Sequence, residues 1–183
     1  MQSTHQVTEL KYQKYRDSSR AFAEKTLPQQ YADRVSLRAV DSVSLVQAKR
    51  WEESLERSDD ATWSWSEGFR QYAYRHPKRF DLAIWYANAQ LCGLSIGKPT
   101  YTGGKLRLDV IEGAPWDHPL KSKIVEITLS SAEAYADFIG ADQIRIMRPV
   151  NSRVTRYYEK FGFTLRKGKE SNTPTYLWRN TRG

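Results

Sequence analysis

The sequence predicts an α/β (α+β) protein: a mixed, mostly antiparallel central sheet flanked by helices, with an extra helical arm at the N-terminus. Three observations predict it. FDLAIWYA, AQLCGLSIGK and GKLRLDVIEG are strand-like runs separated only by turn residues, as in an antiparallel meander. A long segment after Pro115 repeats apolar residues at helical spacing and stops at Gly140, a natural residue just past a helix end. Beyond it, QIRIMRPV, NSRVTRYYEKF, GFTLRKG and TPTYLWRN read as strand, helix, strand and strand, which puts helices on the faces of the sheet.

Residues 7–26 read as a weakly amphipathic helix with Val7, Leu10, Tyr15 and Phe22 loosely on one side, and LPQQYADR breaks it at Pro28. Residues 1–34 are thus an arm that packs on the domain or on a partner, and 35–183 are the domain itself. VSLRAV alternates as a strand. Asp41 is placed to cap a helix over 42–57, whose apolar stripe is Leu45, Ala48, Trp51 and Leu55. A second helix over 62–75 carries Trp65, Phe69, Tyr72 and His76 at helical spacing, and Pro77 ends it. Asn88-Ala89 and Thr102-Gly103-Gly104 supply the turns of the meander. In the long helix, Ile124, Ile127, Thr128, Ser131, Tyr135 and Phe138 fall on the inward face. The element order of the domain is β-α-α-β-β-β-α-β-α-β-β.

The entrance to that long helix is unusual. Lys121-Ser122-Lys123 stands where a helix presents its positive end, and a cation there costs roughly 0.3–1 kcal/mol unless an anion arrives.

At 183 residues the chain is the size of one domain with a real core, and 39% apolar and 13% aromatic residues argue for a folded protein rather than a disordered one. No apolar run is long enough to span a membrane, and MQSTHQVTELKYQKY lacks the hydrophobic stretch of a secretory signal. The single cysteine, Cys92 in AQLCGLSIG, reads as a small buried hydrophobe, which suits a reducing, cytoplasmic-type compartment. His5, His76 and His118 are scattered, so no metal-ligand spacing exists, and no Ser-His-Asp set, Walker loop or dinucleotide fingerprint is present. Charge is uneven: residues 143–183 hold 10 Lys/Arg against Glu159 and Glu170, so 10 − 2 = +8, the whole net charge of the chain. A basic C-terminal fifth suits a nucleic acid, an acidic protein surface or a phosphate-bearing cofactor, or simply keeps the protein soluble. Arg145 and Arg148 alternate with Ile144 and Ile146 on a strand, but no single-strand stacking platform is evident, so nucleic acid ranks last among the partners.

The element order, together with Asn151-x6-Tyr158-Glu159-Lys160-Phe161-Gly162-Phe163, resembles the GNAT family of acetyl-CoA-dependent N-acyltransferases over about residues 35–180. The resemblance implies transfer of an acetyl or other acyl group from acetyl-CoA, or another acyl-CoA, to a primary amine of a small molecule or protein. It implies that Tyr158 lies near the cofactor sulfur and protonates the departing thiolate, a transfer that a phenol with a pKa of about 10 can make to a thiol of about 8.5. Asn151 matches the same motif and joins the cofactor-binding set. The family polarises the acyl carbonyl with a backbone N–H, here of Val110 or Ile111.

The family also wraps the cofactor pyrophosphate in a Gln/Arg-x-x-Gly-x-Gly/Ala loop before the long helix. The segment here, His118-Pro119-Leu120-Lys121-Ser122-Lys123, has no glycine. Two readings follow. In one, backbone N–H groups of Lys121, Ser122, Lys123, Ile124 and Val125 still cradle the pyrophosphate, with the lysines adding charge. In the other, the side chains at 121 and 123 block the approach, and the protein is a non-catalytic GNAT-fold module. It then holds a protein partner through the arm and the basic C-terminal region. GNAT-like proteins of this kind also resemble ones encoded by tailed bacteriophages, which extends the expected location to a host cytoplasm or a virion.

For the amine proton the candidates are Asp109 and Glu112. Three residues apart on a strand, they should point to opposite faces. Glu112, at the strand end beside the cleft, is the chosen base, and a solvated strand-end acid is the competing description. His118 offers a base near neutral pH, while a histidine before Pro119 at a helix entrance reads more readily as a cap or a surface residue. Trp63, Trp65, Phe69 and Tyr72 form an aromatic acceptor pocket on this resemblance, while rings of this kind also fill cores.

Overall fold

Seven strands form one sheet in the order β1-β2-β3-β4-β5-β7-β6. The computed structural model describes residues 3–169 and 174–182. In chain order the elements are α1 (Thr4–Lys25), α2 (Gln29–Ala32), β1 (Val35–Arg38), α3 (Ser42–Glu52), α4 (Trp65–Arg75), β2 (Phe80–Tyr86) and β3 (Gln90–Pro99). Then follow β4 (Lys105–Gly113), α5 (Ile124–Ile139), β5 (Gln143–Met147), α6 (Ser152–Glu159), β6 (Thr164–Arg166) and β7 (Tyr176–Asn180). Every strand pair is antiparallel except β4–β5, which α5 joins as a crossover. This is the expected fold class and element order. Among the described residues no helix is long and apolar enough to cross a membrane.

Local chemistry sets the boundaries. Asp41 and Ser44 form a reciprocal cap at the start of α3, and the Ser64 hydroxyl accepts from Glu67 N–H at the start of α4. The β2–β3 hairpin turns through Ala87 and Asn88, with φ of 51° and 57°. Two left-handed residues in succession match the twist of the flanking strands. Gly140 closes α5 at φ 72°, where a side chain would be strained.

Two cores lie on opposite faces of the sheet. On one face α1, α5 and α6 bury Leu106, Leu108, Ile144, Ile146, Tyr158 and Leu177. On the other, α3 and α4 bury Trp51, Trp65, Phe69, Leu94 and Ile96. Cys92 is buried, which pushes its thiol up to about 12.

Several sequence expectations shift. α3 stops at Glu52, so Leu55 lies outside the helix and is fully exposed rather than part of its stripe. The breaker after α1 contains the short helix α2. β5 ends at Met147, three residues before the end of QIRIMRPV. The expected start of the last strand at Thr173 lies outside the described residues. Phe138 is exposed in place of facing inward, and it stacks on Tyr15 of α1.

The largest difference is in α1. Val7, Leu10 and Phe22 are exposed, and the buried stripe is Arg16, Ser19, Arg20 and Ala23. Arg20 donates to the Asp81 carboxylate at 3.1 Å and to its carbonyl at 2.9 Å. Arg16 reaches the carbonyls of Pro77 and Arg79 and pairs with Glu9. Arg79 completes the cluster on Asp81 and Glu9. An apolar-periodicity reading misses this helix because its buried face is anchored by guanidinium groups.

Candidate active site

The site begins where β4 and β5 stop pairing. Their parallel register runs from Lys105↔Gln143 to Leu108↔Ile146 and ends there. At the same place β4 carries a bulge: Gly97 of β3 pairs with Leu108 and Ile96 with Val110, so Asp109 is the extra residue. Gly97 makes this close approach feasible, since a Cβ there would sit 2.3 Å from the Arg107 carbonyl oxygen. Beyond the bulge the two strands part, and the backbone groups that β4 presents toward β5 lose their strand partners. A cavity of about 870 Å³ opens between them.

Val110 and Ile111 line this cavity from β4. Met147 at the end of β5 and Arg148, Pro149 and Val150 just after it line the other side. Arg148 has φ 51°, a left-handed conformation that costs a residue with a Cβ energy unless its surroundings enforce it. On the α5–α6 flank the wall is Val125, Val154, Tyr157 and Tyr158; on the opposite flank it includes Arg57, Trp63 and Tyr72.

Tyr158 is 6% exposed and packs edge-on against Tyr157 and Phe163. Burial above all, then the neighbouring Tyr157, raises its pKa. The phenol therefore stays protonated across the physiological range, as a proton donor must. Asn151 is not in the cavity wall. It is the N-cap of α6, its Oδ1 accepting from Val154 N–H at 3.0 Å, so it holds the helix that carries Tyr158.

Asp109 and Glu112 do not point to opposite faces. Because Asp109 is itself the extra residue of the bulge, alternation slips by one at that point and both carboxylates reach the α4 side. Asp109 accepts from the Tyr72 hydroxyl at 2.8 Å and from Arg107 Nε at 2.8 Å. Glu112 accepts from Arg57 at 2.8 and 3.0 Å and from the Trp65 indole at 2.7 Å. Both carboxylates are thus held by cations, and Glu112 is no solvated strand-end acid. Burial, then Asp109, raises the pKa of Tyr72, which keeps it a donor to that carboxylate.

The aromatic set divides. Tyr72 and Trp63 line the cavity, whereas Trp65 at 0% and Phe69 at 5% exposure belong to the core and form no pocket wall. Trp65 touches the site only through its indole N–H to Glu112.

Lys121, Ser122 and Lys123 belong to turns that precede α5, and Lys123 is its N-cap without a side-chain hydrogen bond. The N–H groups of Lys121 and Lys123 are used inside the turn, donating to the carbonyls of His118 and Leu120. Those of Ile124, Val125 and Glu126, at the first turn of α5, find no acceptor among the described residues. Lys123 pairs with Glu126 at 3.1 Å, and Lys121 is exposed. His118 is a buried cap: its Nδ1 accepts from Leu120 N–H at 3.2 Å, and burial, then Lys121, lowers its pKa.

Arg57 and Arg107, which hold the two carboxylates, were not singled out by the sequence. The sequence placed Arg57 at the end of the helix expected over 42–57, whereas α3 stops at Glu52 and Arg57 lies in the segment that follows. Asp109 and Glu112 did give a signal, by their place in LRLDVIEG. Among the described residues no group of three or more His, Cys, Asp or Glu is arranged to hold a metal ion.

No family model and no curated protein matches the sequence. Solved structures do match the fold. Aminoglycoside acetyltransferase AAC(6')-Ib in complex with coenzyme A aligns at a TM-score of 0.61 and 16% identity, over 80% of this chain and 94% of that one. A chimera of spermidine N-acetyltransferase SpeG from Vibrio cholerae and hSSAT aligns at 0.59 and 14%, over 80% and 95%. Ard1 from Thermoplasma volcanium aligns at 0.55 and 14%, over 81% and 99%. At such identities the likeness is one of fold.

Proposed function

We propose, from the GNAT fold that this chain carries, that it transfers an acyl group from acetyl-CoA or another acyl-CoA to a primary amine. The observation that carries the reading is the parallel strand pair that parts beyond Leu108 and Ile146. It opens a cavity with Tyr158 on one flank and two held carboxylates on the other. The structural neighbours act as acetyltransferases on amines such as spermidine and aminoglycosides, which supports an amine-bearing acceptor.

The residues at the head of α5 suit a pyrophosphate. Three N–H groups there lack acceptors, no side chain caps them, and Lys121 adds charge. Lys121, Ser122 and Lys123 would hold the phosphates from the turn, and Ile124 and Val125 from the helix start. Bound acyl-CoA supplies an activated thioester carbonyl. The chain's own part is to orient and to move protons. Backbone N–H of Val110 or Ile111 donates where negative charge develops. Tyr158 keeps its hydroxyl proton at the cavity wall. Glu112 accepts the proton of the amine directly or through water, its oxygens retaining lone pairs beyond those used by Arg57 and Trp65.

Release of free thiol from acetyl-CoA, followed across a panel of amines including spermidine, tests the reading. Tyr158→Phe should lower kcat by about 10²-fold while leaving acetyl-CoA affinity unchanged. Unchanged turnover removes Tyr158 from its role. The competing reading, a non-catalytic module holding a protein partner, rests on the glycine-free turn whose own N–H groups are spent at Lys121 and Lys123. It would be supported by absence of thiol release with every amine.

A further inference from the structure

The two faces of the sheet are covered unequally. On one face α5 lies across β2, β3, β4 and β5, with α1 over β1 and β2 and α6 beside β6. On the other, α3 and α4 pack on the strands of the second core, and no described element lies over β5, β7 and β6. Ile144, Ile146 and Leu177 point into the covered side. Strand alternation therefore sends Gln143, Arg145, Met147, Tyr176, Trp178 and Arg166 to the open one.

The strand register arranges these side chains in rows. Arg107 of β4 pairs with Arg145 of β5, Arg145 with Trp178 of β7, and Trp178 with Thr164 of β6. The next row runs Met147, Tyr176, Arg166. The guanidinium groups of Arg145 and Arg166 both lie over the Tyr176 ring, 4.4 and 5.9 Å from its centroid, and Arg166 donates to its hydroxyl at 3.2 Å.

Neither Arg145 nor Arg166 has a carboxylate partner among the described residues. This sets them apart from Arg16, Arg20, Arg57, Arg79, Arg107 and Arg179, each of which does. None of the residues of β5, β6 or β7 is acidic. Two like charges held on one ring without a counter-charge cost energy unless an anion meets them.

We propose that this open half-sheet binds single-stranded nucleic acid, with Arg145 and Arg166 on phosphates and the half-buried Trp178 stacking a base. Charge decides against a second copy of this chain, because a two-fold contact would bring the same uncompensated arginines face to face. The ring decides against an acidic polypeptide, since a half-exposed indole between Arg145 and Thr164 adds a flat apolar surface that bases use and carboxylates do not. The surface meets the cavity at Arg107 and Met147 but lies away from the head of α5, and the residues assigned to the ligand, Arg145, Arg166 and Trp178, do not line the cavity, so it stands whether or not the cleft is catalytic.

The test is fluorescence anisotropy with a labelled oligothymidylate of about 20 nucleotides at about 50 mM salt. The full chain should bind, with a log–log salt slope of about −1.4 for two phosphate contacts. Arg145→Gln combined with Arg166→Gln should weaken binding about tenfold or more and flatten the slope. Trp178→Ala should weaken it at least about fivefold and leave the slope unchanged. Arg166→Gln alone changes an exposed side chain of an edge strand. It serves as the folding-neutral check and should still show a partial loss. Three results overturn the proposal. One is absence of binding at low salt. Another is displacement by polyglutamate at equal charge with indifference to Trp178→Ala, which assigns the face to acidic protein. The last is a concentration-dependent doubling of mass removed by the same substitutions, which assigns it to a second copy.

Discussion

Glu112 was legible in the sequence as an acid at the end of a strand, but its partners were not. Arg57 was expected at the end of a helix over 42–57, and only the folded chain, in which that helix stops at Glu52, brings it to 2.8 Å from the carboxylate. Side chains of 13% and 11% exposure make the Arg57–Glu112 pair largely desolvated, so either member alone is costly to remove. Glu112→Gln should therefore lower stability by about 2 kcal/mol, read as a shift in thermal midpoint. If Glu112 takes the amine proton, the same change also lowers kcat by about 10²-fold. Stability lost with kcat intact would make Glu112 a positioning residue for Arg57 and Trp65. Tyr158 was legible through its motif, and its burial adds the reason its hydroxyl stays protonated.

At the level of elements, the long helix and its Gly140 stop were readable because 3.6-residue periodicity and a left-handed cap are local signals. The bulge in β4 was not, since nothing in LRLDVIEG counts residues against the neighbouring strand. That one inserted residue reverses the expected geometry of Asp109 and Glu112 and parts β4 from β5. Gly97→Ala tests its importance: the new methyl would meet the Arg107 carbonyl, a backbone atom that cannot swing aside. A loss of about 1–3 kcal/mol and weaker acyl-CoA binding are expected, and unchanged stability would mean that the strands relax freely at the bulge. The lysines before α5 likewise change meaning. They sit in turns ahead of the helix rather than inside its first turn, so they flank its open N–H groups instead of opposing its dipole from within.

For the whole molecule, strand order and class followed from the element order, because a meander and one crossover leave few ways to build a sheet. How α1 docks did not follow. Apolar periodicity pointed to Val7, Leu10 and Phe22, whereas the chain anchors the helix with Arg16 and Arg20 on Asp81, which is 2% exposed. Asp81→Asn should cost about 3–5 kcal/mol in chemical unfolding, because three arginines then share too little negative charge; a change below about 1 kcal/mol would show that α1 contributes little to the fold. The basic–aromatic half-sheet was hidden for a related reason, as Arg145, Arg166 and Trp178 meet only through register. The central claim, that a glycine-free turn at the head of α5 still receives an acyl-CoA, is tested most directly by calorimetric titration of acetyl-CoA into the full chain. One saturable site is expected, weakened about tenfold or more when Lys121→Glu and Lys123→Glu are combined. No heat at millimolar acetyl-CoA, or binding indifferent to both reversals, would contradict the claim.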